Sequence, residues 1–133
     1  MNLDETRSEL GAATGPDRAD VFQRIALLDD PSEMASLLVE FVGRESDEAN
    51  EWINSALEGI QQPPNAQIDE WVDWLNRSHQ KPDRSDQAYW AATMLGLYES
   101  LPSRAVTALQ LAAQHGSNEN VRRRASRVLD RRS

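Results

Sequence analysis

Residues 118–129 read NENVRRRASRVL, a run that combines a capping residue, an apolar stripe and a charged face. Asn118 has a side chain suited to accept hydrogen bonds from the first backbone N–H groups of a helix. Val121, Ala125 and Leu129 follow at intervals of four residues, which places them on one helix face. The run therefore predicts an amphipathic helix whose opposite face carries arginine.

Six further helices are predicted on the N-terminal side of this run, each as an apolar stripe bounded by capping or breaking residues. Gly116 is expected to end the helix just before it, and Gly43 to end an earlier one. The predicted starts, in chain order, are Asp17, Asp30-Pro31, Ser46, Asn65, Ser85 and Pro102. Short connections between most of these helices make neighbours antiparallel.

Composition also favours helices. Leu and Ala together number 30, whereas the β-branched residues Val, Ile and Thr number 15. Sustained alternation of apolar and polar residues between hairpin turns, the pattern of strands, is missing. We therefore predict an all-α fold of about seven helices. Residues 1–15 are expected to hold a short helix or loose order, and residues 16–133 to form a single helical-repeat domain.

The predicted helices recur as pairs. Alternate helices start near residues 17, 47, 86 and 119, and the intervening ones near 31, 66 and 103. A two-helix unit that recurs at thirty-odd residues is typical of a helical solenoid.

A family resemblance enters at residues 118–129, which resemble the first helix of a HEAT-like repeat. In that pattern a capping residue is followed by Val-Arg, then by Ala and Leu, as in Val121-Arg122, Ala125 and Leu129. Thirty-four residues earlier, Ala91 and Leu95 occupy the Ala and Leu positions, and the Val-Arg pair is replaced.

This resemblance covers residues 84–132. It implies a right-handed α-solenoid that presents a surface to another protein, and it implies no particular chemistry. The same stripes also fit a globular helical bundle, which is the alternative.

Few residues have the spacing that catalysis or metal binding requires. The chain has no cysteine and two histidines, His79 and His115, both at predicted helix ends, where we expect capping or exposure. Gly-rich phosphate loops, nucleophile elbows and the familiar metal-binding motifs do not occur. We predict no catalytic residue, no metal and no cofactor. An enzyme that uses carboxylates on a HEAT-like scaffold is a third hypothesis.

The expected location is the cytoplasm. Lack of cysteine fits a reducing compartment, and the first fifteen residues are acidic, unlike a secretory signal. Apolar runs are far shorter than the ~18 residues that span a bilayer, so no membrane partner is expected.

The leading functional hypothesis is a scaffold that binds another protein, one with a basic surface. Its candidate contact residues are Trp74 and Trp90, as aromatic anchors, and the carboxylates Glu70 and Asp73. The competing interpretation is that both rings belong to the core.

The alternative hypothesis is anion or nucleic-acid binding through the last predicted helix. Residues 1–80 carry 17 acids and 5 bases, whereas residues 81–133 carry 5 acids and 9 bases. The candidate residues are Arg123, Arg124, Arg127 and Arg131. A formal net charge of -8 disfavours nucleic acid as the partner. Association of the basic part of one copy with the acidic part of another also remains open.

Overall fold

A computed structural model of the chain describes residues 1–132 and is entirely helical, without strands, over that range. The all-α prediction is confirmed. The described chain divides into two compact units, Met1–Gln61 and the residues from Gln62 onward. Residue 133, the end of the predicted repeat domain, lies outside the described residues.

The first unit contains four α-helices. They are α1 (Leu3–Ala12), α2 (Pro16–Ala26), α3 (Ala35–Phe41) and α4 (Asp47–Glu58), with a 3₁₀ turn at Ser32–Met34 before α3. Helix α1 lies in the segment for which the sequence left a short helix or loose order open. Helix α2 packs mainly against α4, and α3 also packs against α4. Phe22, Ile25, Leu38 and Ile53 are fully buried in this unit.

One arginine connects several parts of the first unit. Arg18 on α2 forms a two-pronged ion pair with Glu45, at 2.8 and 2.9 Å, and donates to the backbone oxygen of Leu10 at 2.7 Å. Its guanidinium also lies 5.5 Å from the ring centre of Phe41. The hydrogen bonds that Arg18 donates to Glu45 raise the pKa of Arg18, so this pair keeps its charge.

The second unit contains the other four α-helices. They are α5 (Ile68–Ser78), α6 (Ser85–Leu95), α7 (Ser103–His115) and α8 (Glu119–Asp130). Helix α5 packs on α6 and α7 on α8, while α6 also packs on α8 and α5 on α7. Apolar side chains from all four helices are buried between them: Trp71, Leu75, Ala91, Leu95, Leu109, Val121 and Ala125.

A buried hydrogen-bond chain fixes the start of the second unit. The indole N–H of Trp71 donates to the Tyr98 hydroxyl at 3.1 Å, and that hydroxyl donates to the backbone oxygen of Pro64 at 2.8 Å. Burial raises the pKa of Tyr98, against the opposing effect of the Trp71 hydrogen bond. Both ring polar groups are therefore satisfied inside the core.

The predicted helix starts are confirmed where a side chain caps the first turn. Ser46 accepts from the Ala49 N–H at 3.3 Å, and Asn118 accepts from the Asn120 N–H at 2.7 Å. Asp30 accepts from the Ser32 N–H at 3.1 Å, but the chain passes through a 3₁₀ turn before α3 begins.

Two predicted caps, Asn65 and Ser85, are wrong. Asn65 begins a 3₁₀ turn at Asn65–Gln67, and Ser85 is the first residue of α6 after a turn at Pro82–Arg84. In each turn a backbone oxygen, that of Pro64 or of Lys81, accepts the N–H three residues later. In both cases the backbone of the preceding turn therefore provides the hydrogen-bond acceptor that was predicted to be the side chain of Asn65 or Ser85.

Candidate anion-binding cleft

Helices α6 and α8 form a recess lined largely by cationic side chains. It has a volume of about 280 Å³, and we call it the arginine cleft, defined by Tyr89, Asn120, Arg123, Arg124 and Arg127. Three of the four arginines predicted from the sequence as anion ligands therefore lie together. They converge because the apolar stripe of α8 is buried, which directs the other face of that helix outward.

Arg124 is oriented by Tyr89. One of its guanidinium nitrogens donates to the Tyr89 hydroxyl at 2.5 Å, and the guanidinium carbon lies 4.9 Å from the ring centre. Because the hydroxyl accepts this bond, its own proton is available to a ligand in the cleft. The Tyr89 ring in turn packs edge-on against Trp90, with ring centres 5.3 Å apart.

The other two arginines of the cleft are exposed. Arg123 pairs with Glu119 one turn earlier, at 2.5 Å, and both side chains are more than half exposed. Such a pair contributes little stability and is readily exchanged for a ligand. Arg127 is exposed, and its guanidinium has no partner in the described part of the chain. Guanidinium groups bind carboxylates and phosphates through two parallel hydrogen bonds, so the cleft has the chemistry of an anion site.

Arg131, the fourth predicted anion ligand, lines a different recess. This second recess, which we call the apolar groove, has a volume of about 650 Å³ and lies where α8 ends beside the α6–α7 connection. Its lining is mixed. Leu101, Val106 and Val128 contribute the apolar surface for which we name it, and Glu99, Ser100, Arg131 and Arg132 contribute a polar surface of similar extent.

The four residues predicted to contact a basic partner lie on two different helices. Trp90 is half-buried and contacts Tyr89 of the arginine cleft, whereas Trp74, Glu70 and Asp73 lie on α5. Trp74 is only 8% exposed, and the guanidinium of Arg77 lies 4.5 Å from its ring centre. Asp73 is exposed, and Glu70 is half-buried.

His79 lies at a helix end, where capping or exposure was expected, and it is the capping residue of α5 but is buried. His79 ends α5 and is 7% exposed rather than solvated, and its Nδ1 atom has no hydrogen-bond partner within residues 1–132. Burial lowers the pKa of His79, and the charge of nearby His115 lowers it further. The backbone oxygen of His79 accepts from the Ser117 N–H at 2.6 Å, which ties the end of α5 to the loop before α8.

Residues 1–132 contain no group of three or more His, Cys, Asp or Glu side chains placed to hold a metal ion. Within that range, no helix combines the length and the apolar character needed to cross a membrane.

Tyr89 and Asn120 were not among the residues predicted from the sequence. Tyr89 lies on a different helix, 35 residues before Arg124, and no local pattern links the two. The spacing could have indicated the pairing, because it matches the predicted helix-pair repeat. No protein-family model matches the chain, and no curated protein or solved structure matches it either.

Proposed function

We propose that this chain is a non-catalytic protein-interaction module of HEAT-like type, and that the arginine cleft holds an anionic group of its partner. The observation that carries the proposal is the convergence of three guanidinium groups and a phenol on one recess. The exposed guanidinium of Arg127 supports it further, since no side chain of the described residues neutralises that charge.

The HEAT-like part of the proposal is supported by packing within the second unit. There α6 packs on α8 and α5 on α7, so each helix contacts its counterpart in the next pair. Arg104 and Asp69 join α7 to α5, and Arg124 and Tyr89 join α8 to α6, both across 35 residues. In an up-and-down bundle every consecutive pair would pack closely, including α6 and α7, whereas α6 and α7 have no extensive contact in the described chain.

We favour an acidic protein segment over nucleic acid as the partner. Attraction between arginine and carboxylate needs only a few charges on the partner, whereas a polyanion meets repulsion from the net charge of -8. Tyr89 and Trp90 beside the arginines favour nucleic acid as a second candidate, because bases stack on aromatic rings. The Tyr89 face, however, is already occupied by Arg124.

The Trp74 surface, predicted to contact a basic partner, receives less support. Its ring is buried under Arg77, so an approaching protein would first have to displace that side chain. A cytoplasmic location and the lack of catalysis remain parts of the proposal, inferred from the sequence.

Titration of the isotope-labelled chain with an eight-residue oligoglutamate at low salt tests the proposal. We expect shifts of the backbone NMR signals of Asn120, Arg123 and Arg127. Arg127→Ala should weaken binding about tenfold, the loss expected for a charged hydrogen bond. Arg44→Ala removes the same charge from an exposed site in the first unit and should leave the affinity unchanged.

Two results would contradict this function. One is the absence of binding by oligoglutamate at low salt. The other is an equal loss of affinity in the Arg44 and Arg127 variants, which would reflect net charge rather than a site. Tighter binding of an oligothymidylate with the same number of charges would favour the nucleic-acid candidate.

A further inference from the structure

The exposed face of α8 connects the arginine cleft to the apolar groove. Asn120, Arg124, Arg127 and Arg131 are spaced by four, three and four residues, and such spacings keep side chains on one helix face. At ~1.5 Å rise per residue, Arg127 and Arg131 are about 6 Å apart along the axis. The row of polar side chains thus runs from one recess into the other.

The apolar groove offers both a hydrophobic floor and a free cation. Leu101 and Val106 are half-buried and Val128 is buried, so the groove has apolar surface at its base. Arg131 is exposed, and its guanidinium has no partner among the residues described. Glu99 also lines the groove.

Arg132 does not add to this binding capacity, although it lines the same groove. Its guanidinium donates to the backbone oxygens of Leu95 at 3.2 Å and Glu99 at 3.1 Å, and also to that of Tyr98. These carbonyls end α6 and begin the α6–α7 connection, so Arg132 shapes the groove instead of binding a ligand.

We infer that the arginine cleft and the apolar groove form one docking face for an acidic peptide segment that also carries an apolar side chain. Its carboxylates contact Arg127 and Arg131, and its apolar side chain enters the groove beside Val106. An extended segment advances ~3.3 Å per residue, so about two of its residues span the ~6 Å between Arg127 and Arg131 along the helix axis. This inference rests on the proposed function and specifies the partner that the cleft recognises.

Charge complementarity selects this occupant. Arginine is matched by carboxylate at one end of the face, and the apolar floor is matched by an aliphatic side chain at the other. A purely acidic segment would leave the groove unfilled, and a purely apolar one would leave Arg127 and Arg131 without counter-charges.

Fluorescence anisotropy with three labelled peptides tests the inference on the full chain. The first peptide has three glutamates followed, three residues later, by leucine. In the second peptide alanine replaces the leucine, and in the third peptide glutamine replaces each glutamate. We expect the first to bind about fivefold to tenfold more tightly than the second, and the third to bind least.

Two groove variants test whether the leucine side chain raises the affinity by binding in the groove. Val106→Ser and Leu101→Ser should each remove the preference for leucine and leave the affinity for the alanine peptide unchanged. Arg131→Glu should weaken both acidic peptides by more than tenfold, whereas Arg44→Glu should not. Thermal unfolding measures whether each variant is folded. If the Val106 variant is unfolded, the Leu101 variant still tests the groove.

The outcomes separate this inference from the proposed function. If the leucine and alanine peptides bind equally, with an affinity that depends on Arg127, the inference of one docking face is wrong and the proposed anion binding stands. If neither acidic peptide binds, both fail. Self-association in sedimentation that Arg131→Glu abolishes, without binding of the first peptide, would assign the face to a second copy and overturn the inference.

Discussion

The arginines of residues 122–132 look alike in the sequence but have different surroundings in the structure. Arg122 donates to the backbone oxygen of Gly116 at 2.6 Å and so closes the α7–α8 loop. Arg132 holds the end of α6, and Arg124 is anchored on Tyr89. Arg127 and Arg131 are exposed without a partner among the described residues. Mutations of these residues should therefore divide into effects on stability and effects on binding.

His79 leads to a prediction about pH. In the folded chain the pKa of His79 is below its ordinary value of 6.5. Between the folded and the ordinary pKa, the unfolded chain therefore binds more protons than the folded one. The free energy of unfolding is therefore highest above about pH 6.5 and falls as pH decreases through that window, by at most ~1.4 kcal/mol per pH unit. Denaturant titrations from pH 7.5 to 5 should show this fall.

The matched variants are His79→Gln and His115→Gln. The first should flatten the dependence on pH, because a neutral amide replaces the group that titrates in the buried site. The second should reduce the slope only slightly, since His115 is exposed and acts through its charge. A slope that persists in His79→Gln would mean that another group causes it.

At the scale of elements, the starts of the helices show how far local pattern extends. Ser46 and Asn118 cap as predicted, since each is followed directly by an α-helical turn. Asn65 and Ser85 have equally suitable side chains, yet a 3₁₀ turn lies at or just before each. The choice depends on how the preceding loop meets the rest of the unit, which a window of a few residues does not contain.

The close approach of α6 and α8 depends on Gly96, just after α6. A Cβ atom at this position would lie 2.9 Å from Cγ2 of Val128. We expect Gly96→Ala to lower the free energy of unfolding by about 1–3 kcal/mol through overpacking. Gly11→Ala is the control, because a Cβ there meets nothing within 4 Å and the glycine lies in α1. It should be neutral or stabilise by about 0.5–1 kcal/mol.

A second substitution tests this contact. Val128→Ala removes the methyl group that the Cβ added by Gly96→Ala would meet. The double variant should therefore lose less stability than the two single losses combined. Strictly additive losses, measured by denaturant unfolding, would contradict the close contact.

At the scale of the molecule, charge is distributed unevenly between the two units. Residues 1–61 carry 14 acids and 4 arginines, whereas residues 62–132 carry 8 acids and 10 basic side chains. Three of the four arginines in the first unit form ion pairs: Arg7, Arg18 and Arg24. Most carboxylates of that unit therefore repel one another without a nearby cation.

Moderate salt should therefore stabilise the protein. Raising NaCl from 20 to 300 mM screens repulsion beyond a Debye length, which is ~10 Å at 0.1 M. A gain of about 1 kcal/mol corresponds to a rise of roughly 3–5 °C in the thermal midpoint. The variant Glu51→Gln with Glu58→Gln removes two exposed charges of α4 and should show a smaller rise. A midpoint that falls with salt would mean that the ion pairs outweigh the repulsion.

The helical class, most helix positions and a set of four candidate arginines, three of which line the cleft, were predictable from the sequence. These features follow from periodicity, capping and charge, which act over one or two helical turns. Three further facts come from the packing of the helices: Tyr89 contacts Arg124, Trp74 and His79 are buried, and Arg131 lies in a separate groove. Those facts depend on which helices pack together, because burial and long-range hydrogen bonds arise between segments that no local pattern connects.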